Sequence, residues 1–172
     1  VYLKIMPAKI AQEADIFKLL LDQYQISVPT VIAKNDELHC FLMCDAGDPL
    51  RATLKRRLDV KLMCSAICQF TEMQVKVAKN VRPLLSLGVP DWRLDKFTDV
   101  YEAYIHIYDE YLLKAGLPVK CIEHLKVLIP IAARLCEELD TASIKPTLVQ
   151  PDFNDNNTSS SLLKCEIENK DL

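Results

Sequence analysis

Near the end of the chain stands VQPDFNDNN, Val149 to Asn157, an apolar lead-in that breaks into carboxylates and amides. Asp152 and Asn157 stand five positions apart. In a tight loop that spacing can aim one carboxylate at an acceptor hydroxyl while an amide oxygen reaches a metal ion. Phosphoryl transfer from ATP asks for those parts: a base or orienting carboxylate, oxygen ligands for magnesium, and a cation on the nucleotide phosphates. Magnesium takes hard oxygen donors, so Asp, Asn and phosphate oxygens suit it. Taken alone, D-x4-N is equally the pattern of a solvated turn.

Such a loop has to be positioned by the elements around it. Val1 to Ile5 alternates like a strand, and Pro7 opens a helical stretch whose buried face is Ile10, Ala14, Phe17 and Leu21. Val28–Lys34 and Leu38–Met43 read as two short strands joined by the turn pair Asn35-Asp36, an antiparallel hairpin. After Gly47-Asp48-Pro49 the apolar residues recur at helical spacing. Met63, Ile67, Phe70, Met73, Val77, Val81 and Leu84 form one stripe, closed by Gly88 and Pro90. Phe97, Tyr101, Tyr104, Tyr108 and Tyr111 mark a second helix, whose aromatic stripe suits a ligand-facing surface but is expected to turn inward, and which stops at Gly116-Leu117-Pro118. A third runs from about Cys121 to Leu139 with Ile122, Leu125, Ile129, Ala132, Cys136 and Leu139 inward. Pro130 is expected to kink it or restart it, because an interior proline costs about 3 kcal/mol. Thr147–Val149 then reads as a short strand feeding the loop.

Composition narrows the class. The chain has 172 residues, half of them apolar, which is enough for one compact core. Its formal charge of −3, with Lys and Arg dispersed, leaves no electrostatic footprint for nucleic acid. No apolar run is long enough to cross a bilayer. The seven cysteines are an odd number and no signal peptide precedes them, so a reduced, cytoplasmic chain is expected. Cys40/Cys44 and Cys64/Cys68 lack the C-x2-C spacing of a zinc knuckle and read as buried small hydrophobes. His39, His106 and His124 are scattered and read as structural or exposed.

The order of these segments resembles the aminoglycoside phosphotransferase family, within the protein-kinase-like fold. Pro146-Thr147-Leu148-Val149-Gln150-Pro151-Asp152-Phe153 is similar to the family's P-T-L-V-H-G-D-F, and Asn157 matches the asparagine of its H-x-D-x4-N. Leu38 to Arg51, LHCFLMCDAGDPLR, is similar to the family's hinge strand and the helix start beyond it. Leu84 to Leu94, LLSLGVPDWRL, is similar to a stretch of its helical lobe.

The resemblance implies an α+β fold divided into residues 1–47, a partial N-terminal β lobe, and residues 48–172, a mainly helical lobe carrying the catalytic loop. It implies Asp152 as the catalytic carboxylate and Asn157 as a magnesium ligand. Lys4 would contact the α- and β-phosphates of ATP, and Glu13 would pair with it. Backbone groups of Met43, Cys44, Asp45 and Ala46 would meet adenine. A lysine fixed on a strand by a helix glutamate is a preorganised cation, which suits phosphoryl transfer.

The chain departs from the family in having Gln150 for its histidine and Pro151 for its glycine. It begins just before Lys4, without a Gly-rich hairpin, and only Asp171 lies near the place of the family's second metal-binding aspartate. A truncated member is therefore the expectation, in which phosphate transfer to a hydroxyl of a small molecule is impaired. The alternative is a non-catalytic module that binds a ligand or partner. Asp91, Asp95, Asp99 and Glu102 suit a cationic acceptor and equally suit solvated helix positions.

Overall fold

A computed structural model describes residues 1–150 and 152–159, the side chain of Lys9 excepted. The class is α+β, a three-stranded antiparallel sheet with six α-helices among the described residues. Two compact units are formed: Val1–Val89 with the segment beginning at Thr147, and Pro90–Pro146. The expected boundary at 47/48 lies inside the first.

In the first unit, β1 (Tyr2–Ile5) and β2 (Val31–Asn35) flank β3 (Cys40–Met43). The register sets Lys4 of β1 and Lys34 of β2 opposite Phe41. Phe41 is 1% exposed and packs with Met6 and Ala14, while Phe17 meets its ring edge-on at 6.0 Å. Burying such a side chain contributes about 1.5–3 kcal/mol, which makes Phe41 the anchor of the sheet.

The hairpin turn is longer than Asn35-Asp36. The Asn35 carboxamide accepts from the Leu38 N–H at 2.9 Å, and His39 takes a left-handed backbone, φ 48°. Residues 36–39 are thereby spent on the turn, and the returning strand begins at Cys40 rather than Leu38.

Helix α1 (Glu13–Tyr24) is preceded by a separate 3-10 turn at Ala8–Ile10. The break at Ala11-Gln12 resets the helical phase. Ala14 and Leu20 are buried with Phe17 half-buried, whereas Ile10 and Leu21, expected inward, are exposed.

Helices α2 (Leu50–Arg56), α3 (Val60–Val77) and α4 (Arg82–Ser86) complete the first unit. Asp59 starts α3 by accepting from the Leu62 N–H at 3.0 Å, an N-cap that satisfies one orphan donor. The stripe that faces inward is Leu62, Ala66, Met73 and Val77, so the predicted Met63 and Ile67 are one residue out of phase and exposed. At about 100° per residue, one step is enough to turn a side chain from core to rim.

Leu20, Val77 and Leu84 form a second cluster, which Leu148 joins. Thr147–Val149 is not a strand. The Thr147 hydroxyl donates to the Gln74 carbonyl at 2.6 Å, and the Gln74 amide donates to the Leu148 carbonyl at 3.4 Å. The segment is tied to α3 instead of to a neighbouring strand.

The second unit is a helical hairpin, α5 (Leu94–Lys114) and α6 (Val119–Asp140). Gly116, φ 89°, ends α5, and the Leu117 N–H returns to the Leu112 carbonyl at 2.9 Å. This is a Schellman closure, which needs a residue at positive φ. Ile105, Ile122 and Cys136 are its buried apolar residues, and the Tyr101 hydroxyl donates to the Leu125 carbonyl. The tyrosine stripe does not turn inward: Tyr104, Tyr108 and Tyr111 are exposed and meet one another, with Tyr104 and Tyr108 stacked at 5.5 Å. Leu139 is exposed as well. Pro130 lies within a continuous α6. Its ring removes one N–H from the ladder, and packing along α5 supports the turns on both sides.

Candidate functional site

The residues from Asp152 to Ser159 fold on themselves through side chains rather than through a regular ladder. Asp152 is the acceptor at the centre. One of its carboxylate oxygens receives the Asn154 amide at 2.6 Å, and the other receives the Asn157 amide at 2.6 Å. Asn157 also donates to the Asp152 backbone carbonyl at 3.0 Å. The Asn154 side-chain oxygen takes the N–H groups of Asn156 and Asn157. Short Asx side chains are suited to this because they can replace backbone partners within a few residues.

The loop is seated at the start of α2. The N–H of Leu50 donates to the Thr158 carbonyl at 2.7 Å, and that of Arg51 donates to the Asp155 carbonyl at 2.8 Å. These are first-turn donors with no partner inside the helix, so a distant loop completes them. The Arg51 guanidinium adds two bonds to one oxygen of Asp155, at 3.0 and 2.8 Å. Arg51 holds the Asp155 carboxyl below the usual carboxylate range, and Asp155 in turn raises the guanidinium. Phe153 stacks on Phe70 with ring centroids 4.3 Å apart. Beneath lies an apolar cavity of about 150 Å³, lined by Leu50, Leu54, Met63, Ala66, Ile67 and Phe153 among others.

Lys4 and Glu13 are brought together. The ammonium of Lys4 meets both carboxylate oxygens of Glu13 at 2.7 Å, with β1 carrying one partner and the first residue of α1 the other. A second lysine on the sheet, missed in the sequence, makes a tighter cluster. Lys34 bonds Asp15 of α1 and Asp36 of the turn, each at 2.6 Å, and these bonds raise its pKa.

The proposed hinge lies between sheet and loop. Met43 is half-buried in β3. The Cys44 N–H is spent on the Thr30 carbonyl at 2.8 Å, so it is not available to a base. Asp45 accepts from the Gly47 N–H at 2.7 Å. The Ala46 carbonyl accepts from the Ser159 hydroxyl, which ties the hinge to the far end of the loop.

Asp152 and Asn157 are both exposed, and their functional groups touch. Turning the Asn157 amide by half a rotation would set a neutral oxygen beside a carboxylate, a hard donor pair that fits magnesium. As oriented, the amide nitrogen satisfies the carboxylate. Among the described residues no group of three or more His, Cys, Asp or Glu side chains converges. Asp171 and Cys165 lie outside the described residues.

The expectation that Cys40, Cys44, Cys64 and Cys68 are buried is corrected by the structure, Cys44, Cys64 and Cys68 being exposed and Cys40 half-buried, whereas Cys136 is buried as expected and Cys121 is exposed. His106 and His124 are exposed, as expected. Three of the acidic residues singled out in the second unit have local partners, Asp91 with Arg93 at 2.7 Å, Asp95 with Lys96 at 3.8 Å and Glu102 with His106 at 3.8 Å. Among the described residues no helix is long and apolar enough to cross a membrane. Sequence reasoning missed Arg51, Asp155 and Lys34, whose partners are not at motif spacings. No protein-family model, no curated protein and no solved structure matches the chain.

Proposed function

We propose that this chain is an ATP-dependent phosphotransferase of the aminoglycoside phosphotransferase type, with a protein-kinase-like arrangement, acting on a hydroxyl of a small molecule. The observation that carries the reading is the 2.6 Å contact between Asp152 and Asn157, the two functional residues of the D-x4-N spacing. The Lys4–Glu13 pair supports it.

In this reading Asp152 orients the acceptor hydroxyl and takes its proton. Asn154 fixes the carboxylate through a bond to one of its oxygens, which limits the reorganisation needed when the acceptor arrives. An ammonium has three donors. Glu13 engages two of them at Lys4, leaving, among the described residues, one for a phosphate oxygen. Asn157, with its amide turned to present the oxygen, would hold magnesium, which when bound neutralises charge on the transferring phosphate.

Gln150 and Pro151, standing where the family has histidine and glycine, favour a second reading: a module that binds a ligand or partner without catalysis. Calorimetric titration with ATP, with and without magnesium, tests the choice. Saturable, magnesium-dependent heat is expected. Silence at millimolar nucleotide would overturn the phosphotransferase reading and leave the module.

A further inference from the structure

We infer that Cys64 and Cys68 form a two-thiolate site for a soft, monovalent metal ion of the copper(I) class. The two residues lie four apart on α3 and both thiols are exposed. On a helix, that spacing stacks two side chains on one face with Cβ atoms about 5–6 Å apart. A direct disulfide needs Cβ atoms about 3.5–4.5 Å apart, so closing one here would require the helix to deform. A bridging ion relieves the mismatch. With metal–sulfur bonds of about 2.3 Å, a linear S–metal–S unit sets the sulfurs up to ~4.6 Å apart, within reach of side chains at that separation.

The ion class follows from the donor count. Zinc in a closed site takes four protein ligands. Around these thiols, as elsewhere among the described residues, no third Cys, His, Asp or Glu converges. A soft ion content with two thiolates is the one the pair can satisfy, and thiolate ligands select copper(I) among the common metals. On binding, each thiol gives its proton to solvent and each sulfur donates an electron pair, without change of oxidation state. Two thiolates and a monovalent ion leave one negative charge. Lys61, three positions before Cys64, is exposed on the same side of α3 and opposes it.

The same four-residue interval at Cys40 and Cys44 provides an internal contrast. There Cys40 opens β3 and Cys44 lies one residue beyond its end, so largely extended chain separates the two by roughly 13 Å. Only the helical pair can converge.

The test uses the reduced chain under anaerobic conditions, titrated with copper(I) against a chromophoric copper(I) chelator. The unaltered protein is expected to withdraw one ion per chain. Cys64→Ser and Cys68→Ser are each expected to weaken that competition at least tenfold, and Cys121→Ser to leave it unchanged. A serine variant at 64 or 68 that competes as well as the unaltered chain would overturn the proposal. A second measurement needs no variant: copper(I) should protect Cys64 and Cys68 from alkylation, mapped by mass spectrometry, while Cys121 stays reactive. Equal labelling with and without copper(I), or better protection by zinc, would also overturn it.

Discussion

The lysine–glutamate pair near the start of the chain and the aspartate–asparagine pair near its end have similarly short contacts, yet different kinds of structure hold them. Lys4 and Glu13 are fixed by a strand and a helix packed over Phe41 and Ala14, so their geometry is inherited from the core. Asp152 and Asn157 are fixed by neighbouring amides and by a seat on the first turn of α2. A pair held by the core should tolerate changes to its own side chains and fail when packing fails. A pair held by side-chain bonds should behave in the opposite way.

The largest test of that contrast is chemical. If Asp152 works as proposed, Asp152→Asn lowers turnover by about 10²–10⁴, the range for a positioned general base. An unchanged rate of nucleotide consumption would remove Asp152 from the mechanism.

The next acts on the core. Phe41→Ala is expected to cost about 3–5 kcal/mol in denaturant unfolding, the usual cost of emptying a buried aromatic site. If the change cost less than about 1 kcal/mol, the sheet would not depend on Phe41.

A pH test separates the supports of the two pairs, the loop's seat on α2 and the sheet. Arg51 lowers the folded-state pKa of Asp155, so the stabilisation is present above the unfolded carboxylate value of about 3.9 and is lost as pH falls through the lowered folded value. Hydrogen exchange at the Leu50 and Arg51 amides, corrected for intrinsic rates, should accelerate below about pH 4. The Met6 amide, bonded to the His39 carbonyl, should stay protected. Parallel loss at all three would mean that loop and sheet open together.

The smallest effect is expected at the first pair. Its side chains are 44% and 29% exposed, so Glu13→Gln should change unfolding stability by less than about 1 kcal/mol. A greater loss would show that the pair braces β1 against α1.

Periodicity made the class of most segments legible, because strand and helix repeats differ in the residues themselves. The strand around Lys4 and the helix ends at Gly88 and Gly116 could be placed from alternation and turn residues. Phase was harder to read. Leu62 and Met63 are both apolar, and only the position of Leu50 decides which faces inward. Adjacent Leu20 and Leu21 posed the same choice, decided by the break at Ala11-Gln12.

The D-x4-N spacing drew attention to Asp152 and Asn157, but the residues that seat their loop could not be found that way. Arg51 and Asp155 are separated by 104 positions, and nothing local distinguishes them from solvated charges. Cys44, Cys64 and Cys68 misled because their apolar surroundings in sequence are not their surroundings in space.

The docking of Leu50 and Arg51 onto Thr158 and Asp155 carries a consequence for biosynthesis. Helix α2 leaves the ribosome early, but the carbonyls that finish its first turn are made 104 or more residues later. At about 5–20 residues per second, α2 waits roughly 5–20 s for its completing segment. During that interval the intervening helical hairpin has already emerged, so α5 and α6 can pair before the first unit is completed.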